Sequence, residues 1–268
     1  MMKQLLLLLL LFSSNIFAQN ADSTIVESIE EASEETPSEL IEQTFQSTRI
    51  VSGHSVECLR KNVLEFRVEH RFGDFAGSQG GIQTLFGLDN SSDIRLALEY
   101  GITNNIMIGI GRSKGAGTPY RGLLDGFAKY RFLQQKRHKM PLSMTLVGGV
   151  LYTTMKASPD IYSVAHFPKQ EHRFAYFAQL NIARKFGNLV SLALMPTLAH
   201  RNYVAADDQN TLFSLGGAMR WSITQRLGLT VEYYHVFNKN TIRPTNYNAL
   251  GFAVEILTFG HNFTVFVT

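Results

Sequence analysis

From residue 63 onward, apolar and polar side chains alternate with a period of two. The stretch VLEFRVEHRF at 63–72 sets the pattern, with Leu64, Phe66, Val68 and Phe72 at one parity and Glu65, Arg67, Glu69 and Arg71 at the other. The same patterning recurs at 93–101, 106–112, 122–132, 142–153, 173–186, 189–201, 211–223, 227–237, 247–257 and 261–268. It predicts eleven strands, each long enough to cross a membrane at a tilt.

The connections between these runs alternate in length. Long ones fall at 73–92, 113–121, 154–172, 202–210 and 238–246, and the intervening ones at 102–105, 133–141, 187–188, 224–226 and 258–260, all of them short except 133–141. An antiparallel up-and-down sheet with tight turns at one end and loops at the other follows. Transmembrane barrels inserted from the periplasm have this asymmetry, with odd-numbered strands running outward.

Apolar sets such as Ile94/Leu96/Leu98, Leu192/Leu194 and Phe252/Val254/Ile256 share one parity, while the other carries small residues and charges. A lipocalin-like barrel would turn the apolar parity inward, and a membrane barrel would turn it outward. Period alone is symmetric to that inversion. Aromatics near strand ends (Phe72, Tyr100, Phe132, Tyr152, Phe186, Trp221, Phe237, Tyr247), small residues on the polar parity and strand length favour the membrane version. Pro196 lacks an amide donor and predicts a bulge or bend in its strand.

Composition sharpens this picture at the N-terminus. MMKQLLLLLLLFSSNIFAQ reads as a secretory signal peptide over 1–18, its apolar core too short for a spanning helix. An acidic flexible linker over 19–43 follows, with eight acids between Asp22 and Glu42 and no Lys or Arg there. Residues 43–268 hold 24 basic and 14 acidic residues, so the net +3 conceals a body of +10. Residues 44–62 read as a segment leading into the barrel or as an extra strand, and 63–268 as the barrel. Cys58 is the single cysteine, which excludes an internal disulfide framework.

The ordered series STRIVSGHSVE (47–57), VLEFRVEHRFG (63–73), LFGLD (85–89), RLALEYGIT (95–103), IGIGRS (108–113), IARKF (182–186) and LMPTLAHRN (194–202) resembles an uncharacterised Bacteroidetes-type family of predicted outer-membrane β-barrels, a domain of unknown function. The resemblance covers roughly 44–268 and implies an outer-membrane barrel with no established activity. Such families usually end in a further strand with a terminal aromatic, whereas this sequence ends Phe266-Val267-Thr268. Eleven is also an odd count, and bacterial single-chain barrels have even ones. The expectation is therefore a design of about twelve strands, lacking its terminal strand here or completed by 44–51.

Candidate chemistry is sparse. The eight histidines form no metal-binding spacing, and Asp160, His166, His172, Asp207 and Asp208 in the loops form no recognisable nucleophile and base arrangement. The glycines at 109–117 lack the strand-to-helix context of a phosphate loop. No catalytic, cofactor or metal site is expected, and the signal sequence argues against nucleic-acid partners.

The informative constellation is a charge ladder on the lumen parity: Glu65, Arg67, Glu69, Arg71, Arg95, Glu99, Lys129, Arg131, Arg220, Glu232 and Glu255. Such charges must pair or line water. The expected function is a narrow channel for small polar solutes in the bacterial outer membrane, the alternatives being a sealed structural barrel and a barrel enzyme acting at the outer surface. Expected partners are outer-membrane lipid and, through Lys156, Lys169, Arg173, Lys239 and Arg243, lipopolysaccharide phosphates.

Overall fold

A computed structural model describes residues 40–89, 93–115, 117–137, 139–206, 208–237 and 248–268. The signal peptide and nearly all of the acidic linker lie outside these residues, as do Asp207, Lys239, Arg243 and Tyr247. Eleven strands follow in chain order: β1 (Leu64–Arg71), β2 (Asp93–Gly101), β3 (Ile106–Lys114), β4 (Gly122–Leu133), β5 (Ser143–Thr153), β6 (Phe174–Phe186), β7 (Val190–Arg201), β8 (Thr211–Ser222), β9 (Leu227–Val236), β10 (Ala249–Thr258) and β11 (His261–Val267). Each pairs antiparallel with its sequence neighbours in one sheet.

Packing breaks the inversion symmetry that the period leaves open. Leu64, Phe66 and Val68 are 63%, 64% and 55% exposed, whereas Glu99, Lys129 and Glu255 are 0%, 1% and 2% exposed. An apolar band this continuous across β1 to β11 is untenable against water and is what a bilayer requires. Leu98→Arg, in the middle of β2 on this band, is expected to destabilise the barrel by about 2–4 kcal/mol if it lies at the bilayer midplane. Unfolding of lipid-reconstituted protein in urea checks this.

The sheet curls without closing. β1 and β11 have no ladder between them, yet the Arg71 guanidinium lies 5.9 Å from the centre of the Phe266 ring, so the two edges face one another. Residues 44–51 form no named strand and do not supply the twelfth that the odd count called for.

Local geometry departs from expectation at one proline. Pro196 pairs with Leu215 of β8, and the β6–β7 register is the same on either side of it, between Gln179↔Thr197 and Ile182↔Leu194. Of the expected bulge or bend, the bulge is absent there, and only the β6 ladder lapses, as the missing amide requires. The register shift occurs instead in β4, between Arg131 and Leu133 against β5. At the tight Phe259-Gly260 turn, Gly260 takes φ 81°, a value that favours glycine.

Candidate functional site

The site is the inside of the curled sheet, and it is occupied. Residues 44–58 form a re-entrant hairpin whose turn is fixed by Ile50 N–H donating to the Gly53 carbonyl (2.9 Å), Ser55 N–H donating to the Thr48 carbonyl (3.0 Å) and an Arg49↔His54 bridge. It starts at the turn end, where Ile41 N–H donates to the Gln135 carbonyl at 2.8 Å. It returns there too, with Asn62 N–H donating to the Gly101 carbonyl before β1 begins.

Nearly every side of the wall grips it. Arg67 of β1 donates to the hydroxyls of Thr48 (2.7 Å) and Ser47 (3.1 Å), and Thr48 Oγ1 donates to Glu99 of β2 (3.1 Å). Lys129 of β4 donates to the Thr48 and Glu57 carbonyls at 2.9 and 2.6 Å. From β5 the Thr145 hydroxyl donates to the Val56 carbonyl, and from β6 Asn181 donates to the Ser55 carbonyl while Gln179 accepts from His54 N–H. Arg220 of β8 donates to Gln46. These bonds answer the backbone groups that a buried loop would otherwise strand.

The tip is held by one carboxylate. Glu232 of β9 accepts the backbone N–H groups of Val51 (3.3 Å), Ser52 (2.8 Å) and Gly53 (3.1 and 3.3 Å). Three converging amides make a compact anion cradle, and Glu232 fills it.

Around the tip stand three inward aromatics seated on glycines of the neighbouring strand. Phe127 pairs with Gly109, Phe177 with Gly149 and Tyr234 with Gly216. A Cβ at any of these glycines would collide with the paired ring. His54 fits between two of them, with centroids 4.7 Å from Phe127 and 5.9 Å from Phe177. Neither ring nitrogen of His54 has a hydrogen-bond partner among the described residues. Phe45, Ile50, Val51 and Val56 add apolar contacts to Ala183, Ala193, Met195, Ala218 and Ala253 of the wall.

Burial first, then the charges of Arg49, Lys129, Arg67 and Arg95, hold the His54 imidazole well below its ordinary range. A displaced hairpin would bind a proton at about pH 6.5 that the seated one does not. Its seat is therefore full above that pH and is lost as pH falls. His54→Phe keeps the ring contacts and is expected to remove this part of the pH dependence, measured as the difference in amide exchange between the two proteins across pH 5–8.

All eleven residues of the sequence-derived charge set lie on the inward register of the wall. They form separate groups rather than one ladder. Arg67 joins Glu65 (2.6 Å) and Glu99 (3.4 Å), Arg95 joins Glu69 (3.4 Å), and Arg220 joins Glu255. Arg95 also grips Asp125 through two nitrogens at 3.0 and 2.6 Å. Lys129, Arg131 and Glu232 instead engage other segments: Lys129 and Glu232 hold the hairpin, and Arg131 reaches Glu57 on it at 3.6 Å. Arg71 lies at the loop end, with its guanidinium over Phe266.

The loop residues that invited an enzyme reading are engaged locally. His166 Nδ1 lies 2.9 Å from the Ser158 carbonyl, His172 stacks on Tyr203 at 4.9 Å, and Asp208 pairs with Arg201 at 3.0 Å. Among the described residues no group of three or more His, Cys, Asp or Glu side chains is placed to hold a metal. Cys58 is free and half-buried at the foot of the hairpin.

Period-two reading missed Phe127, Phe177 and Tyr234, which break the polar parity with large rings. The available signal was an aromatic at that parity, but the glycine opposite it emerges only once the register is known. No curated protein matches the chain. Residues 45–268, hairpin included, match a family described as a membrane bound beta barrel domain (DUF5777), and the chain belongs to that family.

Proposed function

We propose that the protein is an exported outer-membrane barrel whose lumen is a narrow pathway for small polar solutes, closed at rest by the 44–58 hairpin. The observation that carries this reading is the polar character of the hairpin's seat. Glu99, Lys129, Gln179, Asn181 and Glu232 face it from the wall and are all buried. Without the hairpin these groups would need water, so a displaced hairpin leaves a hydrated passage rather than a collapsed apolar one.

The flanking ion pairs support the same reading, because Arg95 with Asp125 and Arg220 with Glu255 keep the wall charge-balanced with or without the plug. A pathway so lined is weakly selective for charge and selective for size. The short-turn end, where the hairpin enters, is assigned to the periplasm on the topology common to such barrels.

A second reading has its own support. The apolar contacts of Phe45, Ile50, Val51 and Val56 cement the hairpin to the wall, as a permanently sealed structural barrel would require. Neither reading assigns a catalytic role.

Swelling of proteoliposomes in pentose and in trisaccharide separates the two. Intact protein is expected to admit neither. A folded variant with 45–57 replaced by a short Gly/Ser linker is expected to admit pentose at least tenfold faster than trisaccharide. Absence of swelling in that folded variant would leave the sealed barrel as the correct reading.

A further inference from the structure

The two limbs of the hairpin are held in different ways. On the outgoing limb the wall grips the side chains of Gln46, Ser47 and Thr48, through Arg220, Arg67 and Glu99. On the returning limb, among the described residues, every hydrogen bond from the wall to residues 53–57 goes to the main chain. The Gly53 amide donates to Glu232 (3.1 Å) and the His54 amide to Gln179 (3.0 Å). The carbonyls of Ser55, Val56 and Glu57 then accept from Asn181 (3.2 Å), Thr145 (2.9 Å) and Lys129 (2.6 Å).

Five consecutive residues are thus bound one by one, each by a different buried side chain of the wall. Hydrogen bonds to main-chain groups carry no information about side chains, and an extended peptide of any sequence presents the same groups. Asn181 also keeps spare capacity, because its buried Oδ1 has no partner among the described residues.

The track is charged at its two ends. Glu232 stands where it begins and Lys129 where it finishes, and among the described residues the hydrogen bonds of both go to the hairpin. Arg131 adds to the basic end, 3.6 Å from the Glu57 carboxylate. Withdrawing the hairpin removes the partners of these charges, and buried charges are costly unless paired.

A free peptide of about five residues, running in the same direction, supplies both partners. Its ammonium carries three N–H donors, matching the amides of Val51, Ser52 and Gly53 that Glu232 accepts in the seated hairpin, and its carboxylate falls at Lys129. Side-chain preference enters at the first two positions. A Cβ at Gly53 would collide with the Tyr234 hydroxyl, and the rings of Phe127 and Phe177 flank the His54 ring at 4.7 and 5.9 Å. Glycine followed by an aromatic residue fits this start of the track.

We propose that the lumen binds short zwitterionic peptides and that the returning limb of the hairpin is a tethered stand-in for them. The inference rests on the pathway reading above and makes such peptides the polar solutes concerned.

Isothermal titration in neutral-detergent micelles tests it, with the peptide GFAAA as probe and the folded variant in which a Gly/Ser linker replaces 45–57. GFAAA with free termini is expected to bind about tenfold more tightly than its acetylated and amidated form. GAAAA is expected to bind more weakly than GFAAA, and maltotriose is expected not to compete. Adding Glu232→Gln is expected to reduce the affinity for free GFAAA to that for the acetylated peptide. Should the linker variant misfold, Gly53→Val in the full chain takes its place, because the added side chain collides with Tyr234 and unseats the tip while the wall is unaltered.

A folded variant that binds no peptide, that binds free and capped peptide equally, or from which maltotriose displaces the peptide would overturn the proposal. Conductance separates this proposal from the pathway itself. Conductance steps in planar bilayers without peptide binding would retain the pathway and reject the peptide site, whereas peptide binding by a silent variant would support the site and reject the pathway.

Discussion

Glu232→Leu is expected to free the hairpin tip while leaving the strand wall folded. The substitution strands the amides of Val51, Ser52 and Gly53, which now share one carboxylate at 2.8–3.3 Å. Losing a charged acceptor and leaving buried donors unpaired costs about 1–3 kcal/mol for each group, and relaxation of the tip limits the total to about 3–5 kcal/mol. At roughly 1.4 kcal/mol per decade, amide exchange at 51–53 is expected to accelerate at least a hundredfold in micelles. Glu232→Gln keeps an acceptor and is expected to lie between the two. Unchanged exchange at 51–53 in the leucine variant would mean that the cradle does not hold the tip.

The second large effect is expected at Arg220. Arg220→Met leaves the Glu255 carboxylate in the wall with the Thr230 hydroxyl (3.0 Å) as its remaining hydrogen-bond partner. Both side chains are nearly inaccessible, at 5% and 2% exposure, so the orphaned charge costs about 3–5 kcal/mol. The double variant Arg220→Met with Glu255→Met removes both charges and is expected to regain most of that stability in urea unfolding. A double variant no more stable than the single one would show that the pair is not the source of the loss. Gly228 belongs to the same arrangement, since a Cβ there would lie 2.8 Å from the Arg220 guanidinium and 3.0 Å from the Glu255 carboxylate.

Much of the wall is legible in the sequence because a strand's faces follow from a local repeat of two residues. The runs at 63–72 and 189–201 correspond to β1 (Leu64–Arg71) and β7 (Val190–Arg201), and loops and turns alternate as expected except that the β4–β5 connection at 134–142 is longer than the β3–β4 loop at 115–121. The predicted start of the tenth strand at 247 falls outside the described residues, and the strand is described from Ala249.

The direction in which the faces point is not local information. An alternating strand reads the same inside out, and only the exposure of Leu64, Phe66 and Val68 on the curled sheet separates the two cases. The hairpin is harder still. STRIVSGHSVE has no sustained period, and its buried state rests on partners far along the chain, such as Val51 with Glu232 at a separation of 181 residues. Ile50, Val51 and Val56 are the apolar members of that mixed stretch, and the barrel interior rather than a strand ladder buries them.

Lys129 and Glu232 illustrate the same limit. Their parity places them inward, where balanced charge implies pairing or water. In the folded chain they bind main-chain groups of the hairpin instead, which no count of acids and bases could anticipate.

On the function proposed above, the 44–58 hairpin closes a lumen that is otherwise passable. Single-channel recording in planar bilayers tests it most directly, comparing the intact chain with the variant in which a short Gly/Ser linker replaces 45–57, both verified as folded by heat-dependent migration. A silent intact protein and stable, discrete conductance steps from the variant are expected. Equal conductance from both proteins, or silence from both, would contradict it.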